Sequence, residues 1–284
     1  MSFDLKSYLV ERKALVETAL FAGLPSAGTR PTELSEAMRH AVISGGKRLR
    51  PILCLAAAEA AGGKAEDAIQ AACAVELLHT YTLVHDDLPC MDNDTLRRGQ
   101  PTVWAKYGEA MAVLVGDALQ TLAFETLTRT TASPSSVATL VSELAKAAGA
   151  SGVIAGQVED IAFAGAPTPS IIDYVFQHKT ADLFRAAVRL GAIAGGASDH
   201  DLQQVSVYGN NLGIAFQIID DLLDARQASA DDKPELTCLA VMSEEEARAY
   251  AKETTAAAIA SLQELPGNTA PLAALAQELL SRVM

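Results

Sequence analysis

The sequence predicts an all-α fold, because apolar residues recur every three or four positions along most of the 284 residues. It shows neither strand alternation nor hairpin dipeptides between β-like runs. Linkers, low-complexity stretches and a fixed repeat of about 30–45 residues are missing as well. We therefore predict one domain, residues 1–284, built from about a dozen helices with this apolar spacing.

Proline and glycine residues place the ends of the predicted helices. One helix opens at Pro31-Thr32-Glu33 and ends at Gly45-Gly46, and the next starts around Pro51 and ends at Gly62-Gly63. Pro89 ends the helix that follows. By the same periodicity, longer helices are predicted over residues 66–88, 109–129, 137–163, 170–194, 201–225 and 243–263.

Composition narrows the classes of function. Half of the residues are hydrophobic, which is ample for a large core, and the net charge is −13. Because nucleic-acid-binding proteins carry a basic surface, we expect no nucleic-acid partner. An acidic chain that binds anions must gather its cations locally, so clustered Lys and Arg residues become the candidates for anion binding.

Cysteine spacing and apolar runs indicate a cytoplasmic protein that does not span a membrane. The four cysteines have no CxxC spacing, so neither a zinc site nor a redox motif is predicted, and reduced, buried thiols fit best. The N-terminus lacks the uninterrupted apolar run of a signal peptide. The run AVLVGDALQTLAF contains Asp117 and fits a core helix, and we expect no stretch long enough to cross a bilayer.

The first acidic cluster lies where the helix over residues 66–88 ends. It places four carboxylates, Asp86, Asp87, Asp92 and Asp94, within nine residues. Both the helix C-terminus and the mutual repulsion disfavour this charge, so a cationic partner is expected. Oxygen ligands of this kind suit Mg²⁺, which commonly bridges one or two carboxylates to substrate phosphates. On this segment alone, a solvated acidic loop is an equal alternative.

A second acidic cluster lies in the predicted helix over residues 201–225. Asp220 and Asp224 are four residues apart and share a helix face, with Asp221 beside them and Gln217 one turn earlier. Strongly apolar residues flank them, which is not typical of a solvated face. Because unpaired carboxylates near a core are costly, the second cluster favours a metal role for both.

Two basic clusters complete the pattern. In Gly45-Gly46-Lys47-Arg48-Leu49-Arg50-Pro51, three cations precede a helix start, where backbone N–H groups also attract anions. Arg97-Arg98-Gly99 follows the first acidic cluster closely. Either cluster alone would be typical of a solvated loop. Beside two acidic clusters of metal-binding type, both are better interpreted as diphosphate clamps.

These motifs resemble the polyprenyl synthetase family, whose members make farnesyl and geranylgeranyl diphosphate. The resemblance runs from about Leu34 to Ala247 and includes GGKRLRP, ELLHTYTLVHDDLPCMDNDTLRRGQPT, GDALQTLAFE, GQVEDI, HKTADLF and GIAFQIIDDLLD. Bacterial short-chain farnesyl diphosphate synthases look most similar, followed by plant-type geranylgeranyl diphosphate synthases. The resemblance implies a helical bundle around a deep central cavity, and a homodimer.

The resemblance also implies the roles of individual residues. By position, the ligands of three Mg²⁺ ions that hold the allylic diphosphate are Asp86, Asp87, Asp92, Asp220, Asp221 and Asp224. The other allylic-site contacts are Arg97, Lys179, Thr180, Gln217 and Lys233. The isopentenyl diphosphate site comprises Lys47, Arg50, His79 and Arg98. Catalysis is expected to depend on Lys179, Thr180, Asp86 and Asp220. The motif near the cavity that contains Gln157 and Asp160 has no certain role.

Product length is expected to depend on Tyr81. It lies five residues before Asp86, so at about 1.5 Å per residue it is about 7.5 Å deeper along the helix axis. A bulky residue at this depth resembles family members that make farnesyl diphosphate, which is the predicted main product. The alternative for Tyr81 is a simple core aromatic. The segment from Cys90 to Asn93 instead resembles enzymes that make geranylgeranyl diphosphate, which is the alternative product.

Two more distant functions remain as alternatives. A class I terpene cyclase also uses an Asp-rich helix and magnesium, but it would not need a second diphosphate site. A silent partner subunit of a prenyl synthase would be expected to lose the aspartate motifs, and both are present. One departure from the family is the shortened loop after Asp224, in which Lys233 is the only lysine between Thr180 and Ala251.

Overall fold

The computed structural model describes residues 3–226 and 236–284, and helices dominate that part of the chain. In chain order its first seven α-helices are α1 (Leu5–Gly23), α2 (Thr32–Ile43), α3 (Leu49–Ala60), α4 (Ile69–Asp86), α5 (Val103–Tyr107), α6 (Glu109–Leu127) and α7 (Pro134–Ala148). The others are α8 (Val153–Ala162), α9 (Pro169–Val175), α10 (Asp182–Ala194), α11 (Asp199–Asp224), α12 (Glu244–Ala260) and α13 (Ala270–Ser281). The prediction of an all-α fold is confirmed.

The core is built around α4, α10 and α11. Helix α4 packs against α6, α10 packs against both α3 and α11, and α11 packs against α12. The three alanines at 56–58 are fully buried, which allows this close helix packing. At Gly191 a Cβ would lie 1.8 Å from the carbonyl oxygen of Cys54, so only glycine permits this contact between α10 and α3.

Two predicted helices differ from the structure. The helix expected over residues 137–163 is two helices, α7 and α8, because Gly149 and Gly152 bracket a break between them. The helix expected over residues 170–194 contains a π-helical segment, Phe176–Ala181, between α9 and α10. Such segments often occur at functional sites.

A short hairpin and a terminal helix were not predicted. Strands β1 (Leu96–Arg97) and β2 (Gln100–Pro101) pair antiparallel, with Leu96 opposite Pro101. Arg98 and Gly99 form the turn with φ values of 53° and 76°. Both angles are left-handed, as tight hairpin turns require, but an arginine in that conformation gives little signal in the sequence. Helix α13 closes the C-terminal end of the described chain.

The prediction about cysteines holds for three of the four, since Cys54, Cys73 and Cys238 are buried free thiols. It is wrong for Cys90, which is exposed because it lies in the turn after α4.

We predicted that no stretch is long enough to cross a membrane. Judged by length and composition alone, that prediction is wrong. Two stretches of the described chain pass that test, Glu109–Leu127 and Pro134–Ala162, each with mean hydropathy 1.3. The second includes the break between α7 and α8, and both are partly buried against other helices. Core helices of soluble proteins pass the same test, so it assigns no membrane span.

Candidate active site

An elongated cavity of about 520 Å³ lies between α4, α6, α8 and the π-helical segment. Helix α8 lines it with Ile154, Val158 and Ile161, which follow one face of the helix. The same cavity is bordered by polar groups, Asp86, Gln157, Lys179 and Thr180 among them. An apolar wall next to such polar groups suits a substrate with a hydrocarbon tail and a charged head.

A second cavity of about 940 Å³ lies between α1, α3, α4, α11 and α13. Arg50 and His79 line both cavities, so the two meet at these side chains. The second cavity is bordered by several cations, Lys47, Arg98 and Arg282 among them, and by one motif aspartate, Asp220. It therefore suits a second anionic ligand beside the first.

In the first aspartate motif, Asp86 faces the elongated cavity at the end of α4. Its Oδ1 accepts a hydrogen bond of 3.0 Å from Nε2 of Gln157. Burial raises the pKa of Asp86 to about 7, and repulsion from Asp92 and Asp87 adds to this against the attraction of Lys179. The negative charge of a carboxylate is unfavourable in this position, and a bound cation would stabilise it.

Asp87 does not line the elongated cavity. Its Oδ1 accepts a hydrogen bond of 2.6 Å from Nε of Arg97, whose Nη2 also reaches Asp94 at 3.2 Å. Asp92 is exposed, and its backbone N–H donates to the carbonyl of Asp86 at 2.9 Å. Arg97 was predicted to contact the allylic diphosphate, but here it neutralises two aspartates of the loop.

The second motif is tied to the π-helical segment by a chain of hydrogen bonds. The Thr180 hydroxyl donates to Oε1 of Gln217 at 2.7 Å, and Nε2 of Gln217 donates to Oδ1 of Asp221 at 2.9 Å. Oδ2 of Asp221 accepts from the backbone N–H of Cys238 at 2.7 Å. Thr180, Gln217 and Asp221 were all predicted as site residues, and the structure brings them together.

Asp220 faces the second cavity. Burial raises its pKa to about 6, while Arg282 opposes that rise and Asp224 adds to it. Nη1 of Arg282 lies 3.5 Å from Oδ1 of Asp220. Asp224 is exposed one turn further along α11. The sequence analysis did not predict Arg282 as a site residue. In the sequence it is only an isolated cation, the third residue from the end.

Lys179 is held beside the elongated cavity by Asp160 of α8. The distance from its Nζ to Oδ2 of Asp160 is 2.5 Å. Gly156 allows α8 to approach, since a Cβ there would lie 2.2 Å from the backbone nitrogen of Lys179. Asp160, which had no certain role, therefore positions Lys179.

The basic residues divide into ligand-facing and structural groups. Arg50 stacks over the Phe184 ring at 4.7 Å, and its Nε is buried without a hydrogen-bond partner among the described residues. Burial lowers the pKa of Arg50 to about 10. Arg98 donates to the carbonyl of Gly45 and thereby joins the hairpin to the loop before α3. Lys47 is exposed at the rim.

His79 is neutral in this setting, because burial and then the nearby Arg50 and Arg98 lower its pKa well below the ordinary value. Nη1 of Arg50 lies 3.3 Å from its Nε2. With Nε2 accepting from Arg50, Nδ1 carries the proton and remains a donor. The predicted role of His79 at the isopentenyl diphosphate site stays a prediction.

Arg48 does not join the predicted anion site. Its guanidinium is buried, 2.8 Å from Oε1 of Glu76 and 3.4 Å from Oε1 of Glu17, and it also donates to the carbonyl of Val42 at 2.6 Å. Of the three cations in this segment, the middle one thus anchors the chain between Lys47 in the loop and Arg50 in the first turn of α3.

The donor chemistry of both motifs suits Mg²⁺. Within residues 3–226 and 236–284, no three carboxylate, histidine or cysteine side chains form a group ready to hold a metal ion. Carboxylate oxygens are the ligands that Mg²⁺ prefers, and it usually completes its coordination with water and substrate phosphates. The aspartates therefore fit ions that arrive with a diphosphate.

Two remaining predictions concern Tyr81 and Lys233. Tyr81 is 6% exposed, lines the elongated cavity, and stacks edge-on with His85 at 5.7 Å between ring centroids. It therefore occupies the position expected of a cavity wall. Lys233 lies outside the described residues, so its predicted contact with the allylic diphosphate stays a prediction.

A sequence model of polyprenyl synthetases matches residues 31–237. The chain belongs to the polyprenyl synthetase family. Its fold is similar to an FPP/GFPP synthase from Zymomonas mobilis, with a TM-score of 0.89, 37% identity, and coverage of 97% of this chain and 98% of that one. It is also similar to a geranyltransferase from Legionella pneumophila, with a TM-score of 0.87, 30% identity, and coverage of 98% and 97%.

Among curated polyprenyl synthetases, the chain is 45% identical over 238 residues to the chloroplastic large subunit 1 of heterodimeric geranylgeranyl pyrophosphate synthase from Arabidopsis thaliana. The match covers 81% of this chain and 64% of the plant protein. The chain thus spans slightly less than two thirds of that relative.

Proposed function

We propose that this chain is a magnesium-dependent prenyltransferase that joins an allylic diphosphate to isopentenyl diphosphate, head to tail. The observation that carries the proposal is the pair of cavities meeting at Arg50 and His79. One cavity has an apolar wall and one motif carboxylate, Asp86, for the allylic substrate and its metal. The other is bordered by cations for a second diphosphate. A terpene cyclase would need no second site, and a silent subunit would not need both aspartate motifs.

Magnesium, when bound, would neutralise charge on the departing allylic diphosphate, and the residues that would hold it are Asp86, Asp87, Asp92, Asp220, Asp221 and Asp224. Lys179, which lines the same cavity as Asp86, adds positive charge beside that diphosphate, and Arg97 would do so only after leaving Asp87 and Asp94. Lys47, Arg50 and Arg98 bind isopentenyl diphosphate, with the Nδ1–H of His79 as a further donor.

The chemical step is the attack of the isopentenyl double bond on the allylic carbon as its carbon–oxygen bond breaks. The Thr180 hydroxyl directs its hydrogen to Gln217, so its oxygen lone pairs remain available to the developing carbocation. Ile154, Val158 and Ile161 of α8 are exposed in the ligand-free structure, so a bound prenyl chain would have to cover them to exclude the water that could capture this cation. The released diphosphate is placed to accept the proton that leaves.

We propose geranylgeranyl diphosphate as the main product, in place of the farnesyl diphosphate expected from Tyr81. Curated relatives 42–45% identical to this chain are named as geranylgeranyl pyrophosphate synthases. The second candidate, farnesyl diphosphate, is favoured by the position of Tyr81 in the cavity wall and by the name of the Zymomonas mobilis neighbour. We further propose a cytoplasmic homodimer, as expected from the sequence.

The test is incubation of the purified protein with geranyl diphosphate, Mg²⁺ and labelled isopentenyl diphosphate. The products are dephosphorylated and separated by chain length. A labelled C20 alcohol as main product supports the proposal in full, and a C15 alcohol supports the second candidate. A cyclic hydrocarbon formed without incorporation of label would instead identify a terpene cyclase.

A further inference from the structure

The π-helical segment Phe176–Ala181 carries Lys179 and Thr180, two of the residues expected to take part in the reaction. Its backbone makes a wider turn than the α-helices on either side. Because successive residues of an α-helix are about 100° apart, tightening this turn to an α-turn would rotate both side chains by about that angle relative to α10. The wider turn therefore decides whether both residues line the elongated cavity.

Two glycines make room for this wider turn. At Gly156 of α8, a Cβ would lie 2.2 Å from the backbone nitrogen of Lys179. At Gly213 of α11, a Cβ would lie 2.5 Å from Cα of Ala181. Both helices thus pack directly on the backbone of the turn. Because π-helical turns are rare, a specific contact is also needed to favour this turn over an α-turn.

The first residue of α10, Asp182, makes such a contact. It is only 2% exposed. Its Oδ1 accepts a hydrogen bond of 3.1 Å from Nε2 of Gln177, and its Oδ2 lies 2.8 Å from Nδ1 of His178. Nη2 of Arg185 also lies 2.8 Å from Oδ1. One buried carboxylate therefore holds two successive residues of the π-helical segment and one residue of regular α10.

The spacing along the chain separates the roles of these partners. His178 lies four residues before Asp182 and Arg185 lies three residues after it, and both spacings suit an α-helix. Gln177 lies five residues before Asp182, and residues five apart in an α-helix differ in direction by about 140°. A π-helix instead brings residues i and i+5 together. The hydrogen bond between Gln177 and Asp182 therefore favours the π-helical turn.

We propose that Asp182 is a positioning residue, whose hydrogen bond with Gln177 fixes the turn that presents Lys179 and Thr180 to the elongated cavity. This inference rests on the proposed function. Without the bond, the turn relaxes toward an α-turn and the two residues move away from the reacting carbon. A misplacement of about 1 Å can slow a reaction about 100-fold. The KM for isopentenyl diphosphate should not change, because the π-helical segment does not line the second cavity.

The experiment compares Asp182→Asn with Asp182→Leu in the full chain. Both substitutions remove the charge, but only asparagine keeps an oxygen that can accept from Gln177. Gln177→Met removes the same hydrogen bond from the other side. Arg185→Met is the matched control, because it removes a donor to the same oxygen from outside the π-helical segment.

Two quantities are measured on proteins that circular dichroism shows to be folded. The first is the steady-state rate with geranyl diphosphate, isopentenyl diphosphate and Mg²⁺. The second is deuterium uptake by the amides of Phe176–Ala181 in the ligand-free protein, followed by mass spectrometry. The second measurement reports on the turn itself and needs no turnover.

We expect Asp182→Leu and Gln177→Met to lose about 100-fold in kcat with an unchanged KM for isopentenyl diphosphate. The amides of the π-helical segment should exchange faster in these two variants. Asp182→Asn should keep most of the wild-type kcat. Arg185→Met should keep all of it, although its melting temperature falls because a buried carboxylate loses a cation.

Equal kcat values in Asp182→Asn and Asp182→Leu overturn the proposal, and this pair decides by itself if Gln177→Met does not fold. A wild-type kcat in folded Gln177→Met overturns it as well. So does an equal fall in Gln177→Met and Arg185→Met, since Asp182 would then only stabilise α10. Failure of the proposed function looks different, because the wild type itself would form no condensation product while deuterium uptake still separated the variants.

Discussion

Replacing Arg48 with methionine should destabilise the protein by about 3–5 kcal/mol, the cost of removing one partner of a buried ion pair. The side chains of Arg48 and Glu76 are 1% and 3% exposed and lie 2.8 Å apart. Methionine fills much of the space but leaves the carboxylate of Glu76 buried without its cation. The loop with Lys47 and the first turn of α3 with Arg50 should loosen as well, so the KM for isopentenyl diphosphate should rise.

The assay is equilibrium unfolding in urea, followed by circular dichroism on the ligand-free protein. Arg129→Met is the matched control, because the exposed pair with Glu125 should contribute less than about 0.5 kcal/mol. Arg48→Met combined with Glu76→Leu should recover most of the lost stability, since both charges are then absent. A loss below about 1 kcal/mol in the single variant, or no recovery in the double variant, would refute the reasoning.

Three further predictions concern the aspartates, the cavity wall and the loop after the second motif. Because burial raises the pKa of Asp86 to about 7, its ionisation opposes folding increasingly as the pH rises from about 4 to 7. Asp86→Asn should therefore raise the melting temperature of the ligand-free protein more at pH 8 than at pH 5 while abolishing turnover, and near wild-type turnover would contradict the metal role. Tyr81→Ala should lengthen the prenyl chain seen by chromatography, and an unchanged distribution would leave Tyr81 a plain core aromatic. Lys233→Ala should weaken binding of the allylic substrate by about 1.5–3 kcal/mol more than that of isopentenyl diphosphate, and steady-state kinetics with neither KM altered would disprove it.

The parts of the site that could be predicted are those carried by local sequence. Asp220 and Asp221 lie on one helix among apolar residues, and that pattern predicts that their carboxylates need partners. The hydrogen bonds from Thr180 through Gln217 to Asp221 follow from the same periodicity once two helices pack together. The family resemblance supplied the pairing of those helices, which spacing within one helix does not reveal.

The parts that could not be predicted depend on packing between distant segments. In the sequence, nothing distinguishes Arg48 from its cationic neighbours. Its side chain is buried because it pairs with Glu76, which lies 28 residues later. Arg282 reaches the site because α13 packs near α11, and no local sequence pattern predicts that contact. The contacts of Arg97 could not be predicted either, because its pairing with both Asp87 and Asp94 depends on the turn of the β1–β2 hairpin.

Three ion pairs hold cations at the candidate site, although the net charge of the chain is −13. Arg97 pairs with Asp87, Lys179 with Asp160, and Arg282 with Asp220. Arg97, Lys179 and Arg282 are thus each held by a carboxylate of the protein, which keeps them in place and limits their mutual repulsion. On the proposed function, a divalent cation at Asp87 would weaken its pair with Arg97 and free that guanidinium to bind phosphate. The first acidic motif would then have two roles, since it holds Arg97 in the ligand-free protein and would bind metal together with the substrate.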